Sequence, residues 1–167
     1  ITPKVISSKG DLIEENIKIP VIQGISNVNI QNQINNSIQS DIMEFKSQME
    51  EAAEEYSSLA KEQGKKFIPY NISTNYTLTY NKNNILSLSL IYFQYISGRP
   101  SYIMTSYNYD ISSGKSLSLK DLFKPGTPYK EVINEAIRRE LQTSKGVYPP
   151  EAAANFKGIA EDQPFYL

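Results

Sequence analysis

Cysteine and histidine are both missing from this 167-residue chain. Their absence removes thiol nucleophiles, Ser-His-Asp triads, histidine bases and structural zinc of the usual Cys/His kind. Any catalysis would have to rest on carboxylate, lysine, tyrosine or serine. The lack of cysteine fixes no compartment, because it suits a reducing cytosol and an oxidising exterior where thiols are avoided. No charge sign dominates: 17 basic residues stand against 18 acidic ones, a net charge of -1. That balance gives no electrostatic case for nucleic acid or for an anionic membrane, since a binder of many phosphates carries a basic stripe. No apolar run reaches the roughly 20 residues that span a bilayer. A membrane is therefore expected to be reached only through an anchor outside this chain. The opening residues, beginning at Ile1, are no signal peptide, and the chain is read as a mature or trimmed fragment.

What is present is a patterned α+β chain of one-domain size. Ile13, Ile17, Ile19 and Val21 fall mostly at period two, with Glu14, Asn16 and Lys18 opposite, which predicts one or two strands in the first segment, with Pro20 at an edge position or a strand end. From Asn27 to Gln63 the period changes. Ile30, Ile34, Ile38, Ile42, Phe45, Met49, Tyr56 and Leu59 recur at three- and four-residue steps, the stripe of one long helix. Ser26 or Asn27 caps its start and Gly64 its end. Three strands follow. One carries Ile68, Tyr70, Ile72, Tyr76, Leu78 and Tyr80 at even positions, and the next carries Leu86, Leu88, Leu90 and Tyr92. The third carries Ile103, Thr105, Tyr107, Tyr109 and Ile111. Beyond Ile91 both sides of the second strand turn apolar, so that end is expected to be covered on both faces. The three read as a meander with the long helix on its apolar side. Thr127 and Pro128 then start a second helix with Tyr129, Val132, Ile133, Ala136, Ile137 and Leu141 as its buried stripe. A short helix at "PEAAANF" and a strand beginning at "QPFYL" close the chain. The expected fold class is α+β, an antiparallel sheet packed against one long and one shorter helix. It is expected to form one domain over residues 1–167.

Catalytic and metal readings find little support. Glu50, Glu51, Glu54 and Glu55 lie on a regular helix opposite the stripe, which makes them a solvated face rather than a calcium loop. The "SSGKS" turn lacks the spacing of a phosphate loop and the strand-to-helix setting. Asp110, Asp121, Glu161 and Asp162 read as turn and loop acids rather than a glycosidase pair. No catalytic residue, metal ligand or cofactor is assigned, and the chain is read as non-enzymatic.

Three stretches, in order, carry a resemblance. They are "IKIPVIQGISNVNIQNQINNSI", then "YNYDISSGKSLSLKDLF" after a tyrosine-rich meander, and finally "FKGIAEDQPFYL". Together they resemble a bacterial extracytoplasmic family, the PdaC-like or RsiV-like domain. That family is found in anti-sigma factors of the lysozyme-receptor type and in front of the catalytic domain of peptidoglycan deacetylases, and is common in Gram-positive species. The run from Tyr107 to Phe123 is its most specific part. Where family members often carry a Gly-Gly-Ala-His-like turn, this chain has Ser97, Gly98, Arg99, Pro100 and Ser101. The family also continues past the Phe-Tyr-Leu segment, so its C-terminal strands are expected to be missing here. The resemblance implies an extracellular or cell-surface location and a binding or sensing role toward a protein such as lysozyme or a cell-wall glycan. The alternative it implies is an accessory domain of a larger cell-wall enzyme such as a peptidoglycan deacetylase. Tyr95, Arg99 and Tyr102, around the turn, are the candidate binding residues, because Tyr and Arg dominate recognition surfaces. Self-association through an open sheet edge beside "QPFYL" is the further expectation.

Overall fold

A computed structural model describes residues 1–144 and 146–167. The chain forms two compact units, Ile1–Ser116 with Tyr166–Leu167, and Leu117–Phe165. The class is α+β: a six-stranded, mostly antiparallel sheet that does not close, one long helix and a shorter one.

In the first unit, strands β1 (Thr2–Lys9) and β2 (Ile13–Val21) form an antiparallel pair. The chain then crosses through helix α1 (Val28–Glu62) to β3 (Tyr70–Lys82), which pairs parallel with β2. Strands β4 (Ile85–Ile96), β5 (Arg99–Asp110) and β6 (Lys115–Ser116) continue the sheet in sequence order. The parallel β2–β3 pairing is the feature that residue periodicity did not reveal. Its ladder runs only from Ile13↔Tyr70 to Ile17↔Thr74. There the Thr74 side chain takes over, accepting from Lys18 N at 2.9 Å and donating to Lys18 O at 2.8 Å. Pro20 lies past this point, where no backbone N–H of β2 has to donate to β3.

Helix α1 has the ends its sequence predicts. Asn27 is the N-cap, its Oδ1 accepting from Asn29 N and Ile30 N at 3.0 and 3.3 Å. At the C-terminus Gly64 takes φ +63°, Lys65 N donates to Ala60 O and Gly64 N to Lys61 O, a Schellman arrangement. Ile34, Ile38 and Ile42 are fully buried in one cluster with Ile17, Ile19, Ile72, Leu86, Leu88, Leu90 and Tyr109. In the second half of the helix, Ala53 and Ala60 are the buried positions, while Tyr56 and Leu59 are exposed. The Asn35 amide ties α1 to the end of β2, accepting from Ile22 N at 2.7 Å and donating to Ile22 O at 2.9 Å.

Two strand expectations change. In β3 a bulge separates Leu78, opposite Leu88, from Tyr80, opposite Ser87. The extra residue moves Tyr80 to the opposite face, which breaks the even-number pattern. In β4 the doubly covered end is the reverse of the expected one. Ser87 is buried, donating to Asn108 Oδ1 at 2.6 Å and accepting from Leu167 N at 3.0 Å, whereas Ile91 and Tyr95 are exposed. The last residues, 163–167, form no strand, so the segment expected to begin one does not. The Ser113–Gly114 turn holds Gly114 at φ +77°, where an added Cβ would lie 3.3 Å from Gln33 and Ile30 side-chain atoms. Gly114→Ala is therefore expected to cost about 1–2 kcal/mol in thermal unfolding, from the left-handed backbone alone. A neutral result would show that the turn can rearrange.

In the second unit, a 3-10 turn at Leu119–Leu122 is fixed by Asp121, whose Oδ2 accepts from Ser118 N and Oγ at 2.8 and 2.7 Å. Helices α2 (Tyr129–Thr143) and α3 (Ala152–Asn155) follow. Pro128 is the N-cap of α2, one residue later than Thr127 was expected to cap it, with its carbonyl accepting from Val132 N at 3.2 Å. The α2 stripe is half-buried at most: no residue of this helix is fully buried, and Val132 is exposed. Asn134 Oδ1 accepts from Ile159 N at 2.9 Å, and Arg138 lies 5.7 Å over the Phe156 ring, holding the following loop against the helix.

Candidate functional site

The β4–β5 hairpin turns on Ser97 and Gly98, with φ +49° and +82°, a two-residue turn of the left-handed kind that matches strand twist. Its register is Ile96↔Arg99, Tyr95↔Pro100, Phe93↔Tyr102 and Ile91↔Met104. Strand alternation then settles the faces. Leu86, Leu88 and Leu90 look toward α1, and Arg99 shares that side with Ile96. Tyr95 and Tyr102 stand on the other side. The three candidate residues are thus divided: two tyrosines together on the outer face, and the arginine at the hairpin tip on the helix face.

On the outer face the two tyrosines join Phe93, Ile91, Met104 and Pro100. Tyr102 is 70% exposed, Met104 48%, Tyr95 38% and Ile91 36%. The neighbouring outer positions of β3 are Asn71, Ser73, Asn75 and Thr77, so the apolar cluster ends sharply at that strand. A Cβ at Gly98 would stand 3.9 Å from the Tyr95 hydroxyl, an ordinary contact, so the turn uses glycine for its φ of +82° and not for space. A contiguous exposed apolar group beside a polar strand is the mark of an interaction surface. Tyrosines add flat rings with polar tips, suited to protein and sugar faces alike.

A second feature, which the sequence reading missed, lies on the α1 side. A groove of about 400 Å³ is walled by Gln33, Ser37 and Asp41 of α1 and by Thr105, Tyr107 and Tyr109 of β5. Tyr107 donates to Asp41 Oδ2 at 2.9 Å, its hydroxyl lies 3.3 Å from that of Tyr92, and Tyr109 donates to Ser37 Oγ at 3.2 Å. Burial first, then Tyr92 and Asp41, pushes the Tyr107 hydroxyl far above the ordinary tyrosine range. It stays protonated and acts as a donor, not a base. The signal for this groove was a polar row, Gln33, Ser37 and Asp41, running four residues apart beside the Ile34, Ile38, Ile42 stripe.

Asp110, Glu161 and Glu50 occupy structural posts. Asp110 closes its turn by accepting from Ser112 N and Oγ, and these bonds hold its carboxyl below the usual range. Glu161 accepts from Lys130 and from the Tyr129 hydroxyl. Glu50 pairs with Lys46 one helical turn away. The "SSGKS" turn links strand β5 to strand β6 and does not lead from a strand into a helix. Among the described residues no helix is long and apolar enough to cross a membrane.

Two solved structures share this architecture. A DUF3298-family protein from Bacteroides fragilis superposes with TM-score 0.67 at 16% identity, covering 96% of this chain and 77% of its own. A DUF3298-family protein from Pseudomonas aeruginosa gives 0.53 at 15%, covering 83% and 65%. At these identities the likeness concerns the fold. No curated protein is similar enough to this chain to count as a relative. The family model described as deacetylase PdaC matches residues 6–98, from β1 through the whole of β4 to the hairpin turn. That is more than half of the chain, and the protein belongs to the PdaC family.

Proposed function

We propose that this domain is a non-catalytic binding or sensing module of the cell envelope, acting outside the membrane. Its ligand is a protein such as lysozyme or a cell-wall glycan, held on the outer face of the β4–β5 hairpin. The observation that carries the reading is the exposed group of Tyr95, Tyr102, Ile91 and Met104 on the outer sheet face, beside the polar row Asn71, Ser73, Asn75 and Thr77. A second reading is an accessory domain of a larger cell-wall enzyme, and the family's description as a deacetylase favours it. Both readings use the same surface and differ in what else the full-length product carries: an anchor alone, or a catalytic domain.

The test is retention on insoluble peptidoglycan and on immobilised lysozyme, comparing the wild type with Tyr95→Ala/Tyr102→Ala. Removing two central aromatic side chains is expected to weaken binding about tenfold or more, roughly 1.4 kcal/mol. A loss below about threefold in a folded variant would move the site off this face. Arg99→Ala, on the helix side of the sheet, is expected to leave this binding nearly unchanged.

A further inference from the structure

The two edges of the sheet are not alike. Edge strand β1 carries Pro3, Lys4 and Lys9, residues that discourage a further strand. At the other edge, β6 pairs only with Tyr109 and Asp110. Among the described residues, β5 has no strand on its outer side over Arg99–Thr105, and three consecutive large residues stand open there: Tyr102, Ile103 at 62% and Met104.

Hairpin geometry says which backbone groups are involved. The pair closing a two-residue turn, Ile96 and Arg99, exchanges both of its hydrogen bonds. Arg99, Ser101 and Ile103 therefore aim their backbone at β4, while Pro100, Tyr102 and Met104 aim theirs outward. The Asp110 carbonyl fits this parity, accepting from Gly114 N at 2.7 Å on the side away from β4. Pro100, which lacks an N–H, sits at an outward position where no ladder bond to β4 is lost.

We infer that this edge pairs antiparallel with the same edge of a second copy, joining two sheets through a symmetric β5–β5 contact. Charge complementarity singles out this occupant. Arg99 lies on the α1 side and makes no ion pair among the described residues, and Asp41 holds only the Tyr107 hydroxyl. Only registers that oppose outward-facing residues can form the ladder. Setting Tyr102 against Tyr102 of the other copy puts Arg99 opposite Thr105, and setting it against Met104 puts Arg99 opposite Tyr107. Both positions are walls of the groove that contains Asp41. A two-fold axis then supplies two Arg99–Asp41 pairs, with the arginine over a tyrosine ring. Arg99 is the one charged residue in the pairing stretch, so no like charges are set opposite each other. The same contact places the two outer aromatic groups side by side.

This inference does not rest on the ligand reading, and its experiment reads mass rather than ligand binding. Sedimentation equilibrium is run on the wild type, Met104→Pro, Arg99→Glu and Arg99→Glu/Asp41→Arg, with circular dichroism as the check on folding. Met104→Pro removes an outward N–H without touching the β4 ladder. The expected result is a wild-type dimer in the micromolar range. Each single variant weakens it about tenfold or more, and the charge-reversed pair recovers most of the loss. A wild type that stays monomeric overturns the proposal, as does a dimer indifferent to both single changes or a reversed pair no better than Arg99→Glu alone. A monomer whose Met104→Pro variant loses lysozyme binding would give the edge to a foreign strand, and would equally overturn it.

Discussion

Replacing Ile38 by Asp is expected to unfold the first unit. Ile38 is 0% exposed and sits between Ile34 and Ile42 on the buried stripe of α1, in the cluster that joins β2, β3, β4 and β5. An ionised carboxylate there meets no cation among the buried residues of that cluster, which are isoleucines, leucines and Tyr109. The cost of burying it unpaired is several kcal/mol, comparable to the roughly 5–15 kcal/mol that holds a domain together. The milder change Ile38→Val removes one methylene and should cost about 0.5–1.5 kcal/mol. Val132→Asp makes the useful contrast, since Val132 in α2 is exposed and the change should stay within about 0.5 kcal/mol. Thermal unfolding distinguishes them. An unchanged melting temperature for Ile38→Asp would mean that the helix face is misassigned.

Lys46→Met should come next in size. Glu15 of β2 is only 3% exposed, yet it carries a carboxylate. Its Oε2 accepts from Ser8 at 2.9 Å, and its Oε1 has the Lys46 ammonium at 3.0 Å and no other partner. Lys46 also meets Glu50 at 2.6 Å. Burial opposes the charge on Lys46, but its bonds to Glu50 and Glu15 prevail and raise its value above the ordinary 10.5. The contribution from that shift is therefore complete below the ordinary lysine value and fades as pH climbs through the raised one. Removing the ammonium strands the Glu15 carboxylate in a buried site, at a cost of about 3–5 kcal/mol. Replacing Glu15 as well, by Leu, should restore most of that loss, because a buried ion pair and an apolar pair of similar volume are often close in stability. A denaturant midpoint for Lys46→Met equal to that of the wild type would show that water reaches Glu15.

The parts of the fold readable from residues were those with local causes. Asn27 and Gly64 bracket α1 because a side-chain oxygen at one end and a left-handed glycine at the other satisfy its loose backbone groups. Leu86, Leu88 and Leu90 alternate because one side of β4 meets the helix. The parallel pairing of β2 with β3 was not legible, since it depends on where a 35-residue crossover helix delivers the chain. The buried Ser87 was hidden for a related reason, since its partners Asn108 and Leu167 are distant in sequence, and the Thr79 bulge because it is set by how β3 meets Ser87 of the next strand. At the candidate site, the sequence grouped Arg99 with Tyr95 and Tyr102 around one hairpin. Position parity separates them, and the register is set by the two-residue turn. The α2 stripe was overread. Helical spacing of Val132, Ile133, Ala136 and Ile137 shows that the residues share a face, not how deeply that face is covered.

The central claim is that the outer face of the β4–β5 hairpin receives the ligand. The most direct measurement is amide-resolved NMR of the labelled domain, titrated with soluble peptidoglycan fragments and, separately, with lysozyme. The account predicts that one of these ligands shifts the amides of Ile91, Phe93, Tyr95, Tyr102 and Met104 progressively, while Asn71 to Thr77 and the buried α1 stripe stay in place. Shifts confined to the Gln33–Asp41 groove or to the second unit, with the hairpin unmoved, would contradict it.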